Sequence, residues 1–122
     1  MDLSLGEHIV DGRLVIEVRG EADVHSAGHL RDRLTSRIDT GSKNLILDLS
    51  QLGFIDSTGL GALVAARNHA EAHNADLKLV CASERLLKLF RITGLVEVFA
   101  IYGSVPQAVE AGTPGPLPST AS

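Results

Sequence analysis

The segment Asp56-Ser57-Thr58-Gly59 brings a carboxylate, two hydroxyls and a glycine together. Two apolar residues precede it and an apolar helix pattern follows at once, so these polar residues are predicted at or beside a helix start. A helix start offers unpaired backbone N–H groups and a partial positive charge. Gly59 is expected to keep the turn open and to let a partner's backbone come close. Asp, Ser and Thr are also good N-caps, which leaves open that the segment only begins a helix.

Two histidine pairs have a spacing that suits metal binding. His25 with His29, and His69 with His73, are each four residues apart, and such pairs can bind zinc on one helix face. No third ligand or His-Glu-x-x-His motif accompanies either pair. We therefore interpret all four as solvated surface histidines and predict neither a metal site nor a cofactor.

The remaining reactive residue types do not form a recognisable catalytic set. Cys81 is the only cysteine and lies in an apolar run, so it is interpreted as an inert buried thiol. No Gly-x-Ser-x-Gly segment surrounds Ser57, and Val64 stands where the third glycine of a dinucleotide loop would follow Gly59 and Gly61. These observations predict a protein that is not an enzyme.

Composition argues against several classes of partner. The chain has 122 residues, 44% hydrophobic, with a formal net charge of −4 and only 3% aromatic residues. These values indicate one globular domain without the basic runs or stacking platforms that bind nucleic acid. No segment approaches the roughly 20 apolar residues of a membrane span, and the N-terminus resembles no export signal. We predict a cytoplasmic protein with no nucleic-acid or membrane partner.

One helix pattern carries a basic stripe made of Arg85, Lys88 and Arg91. A solvated helix face is the ordinary explanation for such charges. A secondary contact with a partner protein is the alternative, and the residues by themselves leave both open.

The elements that carry these residues alternate between strands and helices. Asp11-Gly12 is a hairpin turn signal between two strands of alternating polarity. Apolar periodicity then gives the order β-β-α-β-α-β-α-β-α. This order predicts an α/β fold whose mixed, mostly parallel β-sheet is opened by an antiparallel hairpin and is accompanied by about four helices.

Local markers give approximate bounds for these elements. Later strands are predicted at 45–49, 77–81 and 96–101. Predicted helix markers are Gly41 and Asn74 as stops for the first two helices, Ser83 as N-cap and Gly94 as the end of the third, and Val105, Ala108 and Val109 for a short last helix. The folded domain is predicted to span 1–111. Three prolines within 112–122 predict a disordered, Pro-rich C-terminal tail.

Three segments match motifs of one family in the right order. Phe-Ile-Asp-Ser-Thr-Gly-Leu-Gly at 54–61 resembles the phosphorylation motif of bacterial anti-sigma-factor antagonists, which have the STAS fold. Gly-Glu-Ala-Asp at 20–23 resembles their Gly-Glu-apolar-Asp motif, although Ile or Leu is more usual where Ala22 stands. The segment 83–95 resembles their late helix and turn. The likeness covers about residues 3–109 and looks closest to actinobacterial members.

The resemblance implies a role for each matched residue. Ser57 matches the serine that is phosphorylated by the family's partner, an anti-sigma factor that is also an ATP-dependent serine kinase. Asp23 and Asp56 match acidic residues beside it that are implicated in partner contact. Thr58 and Gly59 complete the implied partner-binding surface, and Thr58 is not expected to be the main phosphate acceptor. A serine phosphatase would reset the switch.

Two other functions stay open from the residues. A protein of the same fold could be a sensor that binds a nucleotide or another small ligand. A hydrolase or transferase using Ser57 is the third class, but it requires a base that the sequence does not name.

Overall fold

The computed structural model describes residues 2–112, which form five strands, four α-helices and one 3-10 helix. The element order matches the predicted order, with the 3-10 helix added. The elements are β1 (Leu3–Val10), β2 (Arg13–Ala22), α1 (Ala27–Asp39), β3 (Asn44–Ile55), α2 (Ser57–Ala72), β4 (Asp76–Val80), α3 (Glu84–Ile92), the 3-10 helix (Leu95–Glu97), β5 (Ala100–Tyr102) and α4 (Val105–Glu110).

The strands form one mixed sheet in the order β1-β2-β3-β4-β5. β1 and β2 are antiparallel, and every later neighbour pair is parallel. Asp11 and Gly12 both have positive φ, 49° and 79°, which is the turn geometry that matches the twist of a tight hairpin. The predicted α/β fold with its opening hairpin is confirmed.

Helices cover both faces of the sheet. Leu45 and Leu47 of β3 belong to a large buried cluster that also contains the apolar faces of α1, α2 and α3. Ile46 points to the opposite face, where it packs in a smaller cluster with Ala108 of α4. Because successive side chains of a strand face opposite sides, a strand covered on both faces must be apolar throughout. This explains why the strand predicted at 45–49 is apolar at every position except Asp48.

The last strand is shorter than predicted. The apolar residues at 96–101 predicted a strand, but Leu95–Glu97 is a 3-10 helix and β5 begins at Ala100. The backbone N–H groups of Val98 and Phe99 both donate to the Leu95 carbonyl, at 2.9 and 3.1 Å. These local bonds compete with strand pairing until Ala100. The apolar residues here therefore belong to a partly exposed turn, whose buried Phe99 packs edge-on against Phe90.

The strand that leads to Ser57 is longer than predicted. The expected strand covered 45–49, whereas β3 continues to Ile55 because β2 also continues and pairs with it as far as Ala22. The second half of β3 is only partly buried, so it contains polar residues and a glycine. These residue types do not give the apolar pattern from which the strand was predicted. The prediction of a disordered tail at 112–122 falls, apart from Gly112, on residues outside those described.

An ion-pair network joins β1 to α1. Arg33 Nη1 lies 2.8 Å from Glu7 Oε2, and Arg37 Nε lies 3.0 Å from Glu7 Oε1. Burial by itself would raise the pKa of Glu7, but the hydrogen bonds and charges of Arg37 and Arg33 outweigh it and lower the pKa below its ordinary value. Glu7 therefore stays ionised at neutral pH and ties the edge strand to the first helix.

We expect Glu7→Gln to lower the free energy of unfolding by about 1 kcal/mol at neutral pH, since it removes charge-assisted hydrogen bonds. A group with a lowered folded-state pKa stabilises the protein above its unfolded pKa, and this stability is lost as pH falls through the folded pKa. The difference between variant and wild type should thus shrink below about pH 4. Urea unfolding across pH measures it. The exposed pair Glu71–Arg67 provides the control, because Glu71→Gln should change stability by less than about 0.5 kcal/mol. A pH-independent difference for Glu7→Gln would contradict the expectation.

Candidate functional site

The turn between β3 and α2 is held by the side chain of Asp56. Its backbone is extended, with φ −107° and ψ −172°, and its Oδ1 accepts a hydrogen bond from the Gly59 N–H at 3.0 Å. In this N-cap geometry a side chain satisfies one of the unpaired N–H groups of the first helical turn. The predicted helix start is therefore confirmed, with Asp56 as N-cap and Ser57 as the first residue of α2.

The hydroxyls of Ser57 and Thr58 are at the open end of α2. Both residues are exposed. Within residues 2–112, the Ser57 hydroxyl has no hydrogen-bond partner. The first turn of a helix carries unpaired N–H groups and a partial positive charge, so additional negative charge is tolerated at this position. Ser57 is accessible to another protein and lies where a phosphate would not disturb the helix.

Strand pairing brings Asp23 to the same edge of the sheet as Asp56. Ala22 pairs with Ile55 in the parallel register, and the Asp56 N–H donates to the Ala22 carbonyl at 3.2 Å. Asp23 and Asp56 are the next residues after this pair on each strand. The structure thus joins the segments 20–23 and 54–61, which lie far apart in the sequence, into one surface.

Asp23 also closes the loop before α1. Its Oδ1 accepts hydrogen bonds from the backbone N–H groups of His25 and Ser26, at 2.9 and 3.2 Å. The hydrogen bond from the His25 N–H is the largest cause of the lowered pKa of Asp23. Desolvation raises this pKa, but the hydroxyl and N–H of Ser26 lower it further. Asp23 is consequently ionised at neutral pH. It contributes both a local structural contact and a negative charge to this edge.

Gly59 makes a close contact within the chain itself. It is buried, and a Cβ added to it would lie 2.5 Å from the Ala22 carbonyl oxygen and 2.7 Å from Ile55 Cγ1. Within the chain, the backbone that Gly59 admits is therefore that of Ala22, and its contact with a partner stays a prediction. Gly59 lets β2 and α2 approach each other. This close packing keeps Asp23, which follows Ala22, near the start of α2.

An apolar groove that the sequence did not indicate lies between the end of β3 and α3. The groove has a volume of about 260 Å³, and its lining includes Phe54, Leu89 and Ile92. Phe54 is 46% exposed and Ile92 is 71% exposed. The period-2 alternation of a strand was the available signal, since Phe54 and Ile55 are neighbours and must point to opposite faces. An exposed apolar surface therefore lies next to the turn that carries Ser57.

The basic stripe of α3 lies partly along this groove. Arg85 and Lys88 line it, and Arg85 Nη2 donates to the Gly53 carbonyl at 2.5 Å. Arg91 instead faces Glu84, with 3.9 Å between Nη2 and Oε1. Arg85 is thus more than a solvated charge, because it fastens α3 to the segment just before Ser57.

The structure also tests the interpretations of the cysteine and the histidines. Cys81 is buried, with 2% of its surface exposed, so the prediction of a buried thiol is confirmed, and burial raises the pKa of that thiol. The prediction that no third ligand accompanies either histidine pair is wrong for His69 and His73. Asp39 of α1 lies beside them. The sequence could not show this, because Asp39 is 30 residues from His69 and only helix packing brings them together.

Solved structures share this fold. An anti-sigma factor antagonist from Mycobacterium paratuberculosis has a TM-score of 0.82 at 24% identity, over 90% of this chain and 93% of that one. The Bacillus cell fate determinant SpoIIAA in its phosphorylated form has a TM-score of 0.68 at 23% identity, over 92% of this chain and 100% of that one. Its unphosphorylated form has a TM-score of 0.67 at 21% identity, over 90% of this chain and 96% of that one.

In residues 2–112, no helix combines the length and apolarity needed to cross a membrane.

Sequence comparison identifies the family. The STAS domain matches residues 7–108. An anti-sigma-B factor antagonist of Bacillus subtilis is 38% identical over 86 residues, which are 70% of this chain and 78% of that protein. The match over most of the chain, together with the sheet order and the capped turn at Ser57, shows that this chain belongs to the STAS domain family, among its anti-sigma factor antagonists.

Proposed function

We propose that the unphosphorylated chain binds an anti-sigma factor that is also a serine kinase, and thereby frees a sigma factor in the cytoplasm. Phosphorylation of Ser57 by that kinase abolishes the binding, and a serine phosphatase restores it. The observation that carries this proposal is the exposed Ser57 hydroxyl at the start of α2, beside the N-cap Asp56. The name of the Bacillus subtilis relative and the phosphorylated form of SpoIIAA support it.

Accessibility supports Ser57 as the phosphate acceptor. A kinase must bring the attacking hydroxyl into line with the γ-phosphate of ATP. The acceptor hydroxyl therefore has to be exposed and free to enter the active site of the kinase. The Ser57 hydroxyl has no hydrogen bond to break within residues 2–112. Thr58 is exposed as well, and the choice between them rests on the family's motif, whose acceptor position is occupied by Ser57.

The charge of the surface explains why one phosphate is enough. Phosphate adds about −1.5 to −2 charges at neutral pH and three acceptor oxygens. Asp23 and Asp56 already contribute carboxylates at the same edge of the sheet. A partner surface that fits two carboxylates and a neutral hydroxyl repels the negative charge of the added phosphate or leaves it unpaired. Like-charge contacts across an interface cost several kcal/mol, and about 1.4 kcal/mol is a tenfold change in affinity.

The switch does not require the fold to change. The N-terminus of α2 stabilises an anion, so the phosphorylated chain keeps its helix start. The backbone of this chain resembles the phosphorylated and unphosphorylated forms of SpoIIAA to nearly the same degree. Both points support a mechanism in which charge at the surface, rather than refolding, controls binding.

We expect a cognate anti-sigma factor kinase to add a single phosphate, at Ser57. The experiment incubates the full chain with ATP and each anti-sigma factor kinase encoded in the same genome, followed by intact-mass and fragment-mass analysis. Ser57→Ala should stay unmodified, because its acceptor oxygen is missing, whereas Thr58→Ala should be phosphorylated like the wild type. A phosphate mapped to Thr58, or undiminished phosphorylation of Ser57→Ala, would contradict the proposal.

A small-ligand sensor is the second candidate function, and the groove beside Phe54 is the observation that favours it. Its volume of about 260 Å³ lies below the range of roughly 300–1,000 Å³ that is typical of ligand pockets. Calorimetric titration with purified nucleotides tests this function. Saturable binding to the wild type that is lost in Phe54→Ala would favour the sensor, and absence of heat in both would dismiss it. A hydrolase is not favoured, since no base contacts the Ser57 hydroxyl within residues 2–112.

A further inference from the structure

Two histidines and an aspartate meet at the end of α2 that is remote from Ser57. Asp39 is the last residue of α1, His69 lies in the last turn of α2, and His73 is the C-cap of α2. His69 Nε2 lies 2.6 Å from Asp39 Oδ1, and His73 Nε2 lies 3.9 Å from the same oxygen. One potential ligand atom from each residue lies within 4.8 Å of the other two.

We propose that Asp39, His69 and His73 bind a Zn²⁺ ion that links α1 to α2. Two imidazole nitrogens and one carboxylate oxygen are a common set of three protein ligands for zinc, with water in the fourth position. Imidazole also suits Cu²⁺ and Ni²⁺, whereas Mg²⁺ prefers oxygen ligands alone. The site is new relative to the switch proposed above and does not depend on it.

The orientation of His73 is the first support for the site. Its Nδ1 lies 2.9 Å from the carbonyl oxygen of His69. A carbonyl only accepts, so Nδ1 carries the proton and the lone pair of Nε2 is available on the side of Asp39. Histidines that bind metals commonly donate their other ring N–H in this way, which fixes the tautomer and the ring orientation. The second shell of a metal ligand is thus already in place.

The spacing of the ligand atoms is the second support. Zinc–nitrogen and zinc–oxygen bonds of about 2.0–2.2 Å in a tetrahedron separate neighbouring ligand atoms by about 3.3–3.6 Å. The two distances to Asp39 Oδ1 in the structure, 2.6 and 3.9 Å, lie on either side of this range. Small side-chain rotations therefore suffice. On binding, zinc takes the place of the hydrogen between His69 Nε2 and Asp39 Oδ1, and the single proton of the neutral imidazole then lies on Nδ1.

The backbone around the site is held in place. Lys43 Nζ donates to the His73 carbonyl at 2.7 Å, and the His73 N–H is bonded to the end of α2. His69 and His73 are successive-turn neighbours, with ring centroids 4.2 Å apart. Two ligands from α2 and one from α1 make the ion a cross-link, so it stabilises the packing of the two helices.

The site is far enough from Ser57 for the two properties to be tested separately. Sixteen helical positions at about 1.5 Å each separate Ser57 from His73 by roughly 24 Å. A chain that binds zinc but is never phosphorylated would keep this inference and lose the proposed switch. The reverse outcome would do the opposite.

The experiment titrates ZnCl₂ into the full chain, with any polyhistidine tag removed and prior metal stripped by a chelator. We expect one saturable site per chain by calorimetry and a higher melting midpoint. His69→Gln, His73→Gln and Asp39→Asn should each weaken binding by about tenfold or more. MgCl₂ should neither bind nor compete. The ligands are partly exposed, so these variants should fold, and circular dichroism verifies this.

The second histidine pair supplies a matched control. His25 lies before α1 and His29 within it, and neither belongs to a cluster of three potential ligands in residues 2–112. The double variant of His25 and His29 to glutamine should bind zinc like the wild type. In the wild type, Co²⁺ should give the visible absorption of a tetrahedral site and should shift the NMR signals around Asp39 and His73. Absence of saturable binding, or binding that survives His69→Gln with His73→Gln, would reduce the cluster to a surface ion pair.

Discussion

Replacing Ser57 with aspartate is expected to weaken binding to the cognate anti-sigma factor by about 100-fold, which corresponds to about 2.7 kcal/mol. The substitution adds one negative charge to an edge that already carries Asp23 and Asp56. Like-charge contacts in an interface cost several kcal/mol, so the loss falls within the expected range. Calorimetry or surface plasmon resonance with the purified partner at fixed ionic strength measures the effect, since salt screens such charges.

Two control variants separate charge from shape and position. Ser57→Asn has nearly the size of the aspartate without its charge, and it should bind the partner nearly as tightly as the wild type. Ser36→Asp adds the same charge at an exposed position of α1 and should leave binding unchanged. The melting midpoint of Ser57→Asp should not fall, because a carboxylate in the first turn of a helix is favourable. Equal losses for the Asp and Asn variants would show that size, not charge, controls the interface.

The architecture could be predicted because its causes are local. The hairpin follows from Asp11 and Gly12, which tolerate the positive φ values that the turn requires. The end of α3 follows from Gly94, whose φ is 77°. The N-cap Ser83 accepts a hydrogen bond from the Leu86 N–H. Each of these residues determines backbone geometry within a few positions of itself, and a sequence displays such relations directly.

The elements that were predicted incorrectly depend on contacts between distant residues. β3 extends to Ile55 because β2 lies beside it, and the residues at 50–55 do not carry that information themselves. Phe99 packs against Phe90, and apolar residue types alone cannot distinguish the turn that carries it from a strand. Likewise, Asp39 meets His69 only through the packing of α1 on α2.

The candidate site likewise has features that follow from nearby residues and features that depend on contacts between distant residues. The N-cap role of Asp56 is a local property and followed from residue type and position. The link between Asp23 and Ser57 came from the family resemblance alone, and its physical basis is the pairing of Ala22 with Ile55. The groove beside Phe54 went unnoticed, because its other wall is a helix that comes about thirty residues later in the chain.

The contact between Gly59 and Ala22 provides the second large expected effect. Gly59→Ala should lower the free energy of unfolding by about 2–3 kcal/mol, as insertion of a methyl group into a packed site does. The new Cβ would lie 2.5 Å from a carbonyl oxygen of β2, and a backbone atom cannot rotate away as a flexible side chain can. The end of β2 must therefore move away from α2. Urea unfolding measures the loss.

Gly61 on the same helix is the matched control. A Cβ added to Gly61 meets nothing within 4 Å, so Gly61→Ala should raise stability by about 0.5–1 kcal/mol through helix propensity. The two variants carry the same chemical change two residues apart, and opposite signs would identify the contact with Ala22 as the cause. Because Asp23 follows Ala22, Gly59→Ala should also weaken partner binding under conditions where the variant remains folded. Gly61→Ala changes only the surface of α2 and leaves the position of Asp23 unchanged. Equal stabilities for the two variants would show that β2 and α2 separate without cost, and Gly59 would then have no part in shaping the surface around Ser57.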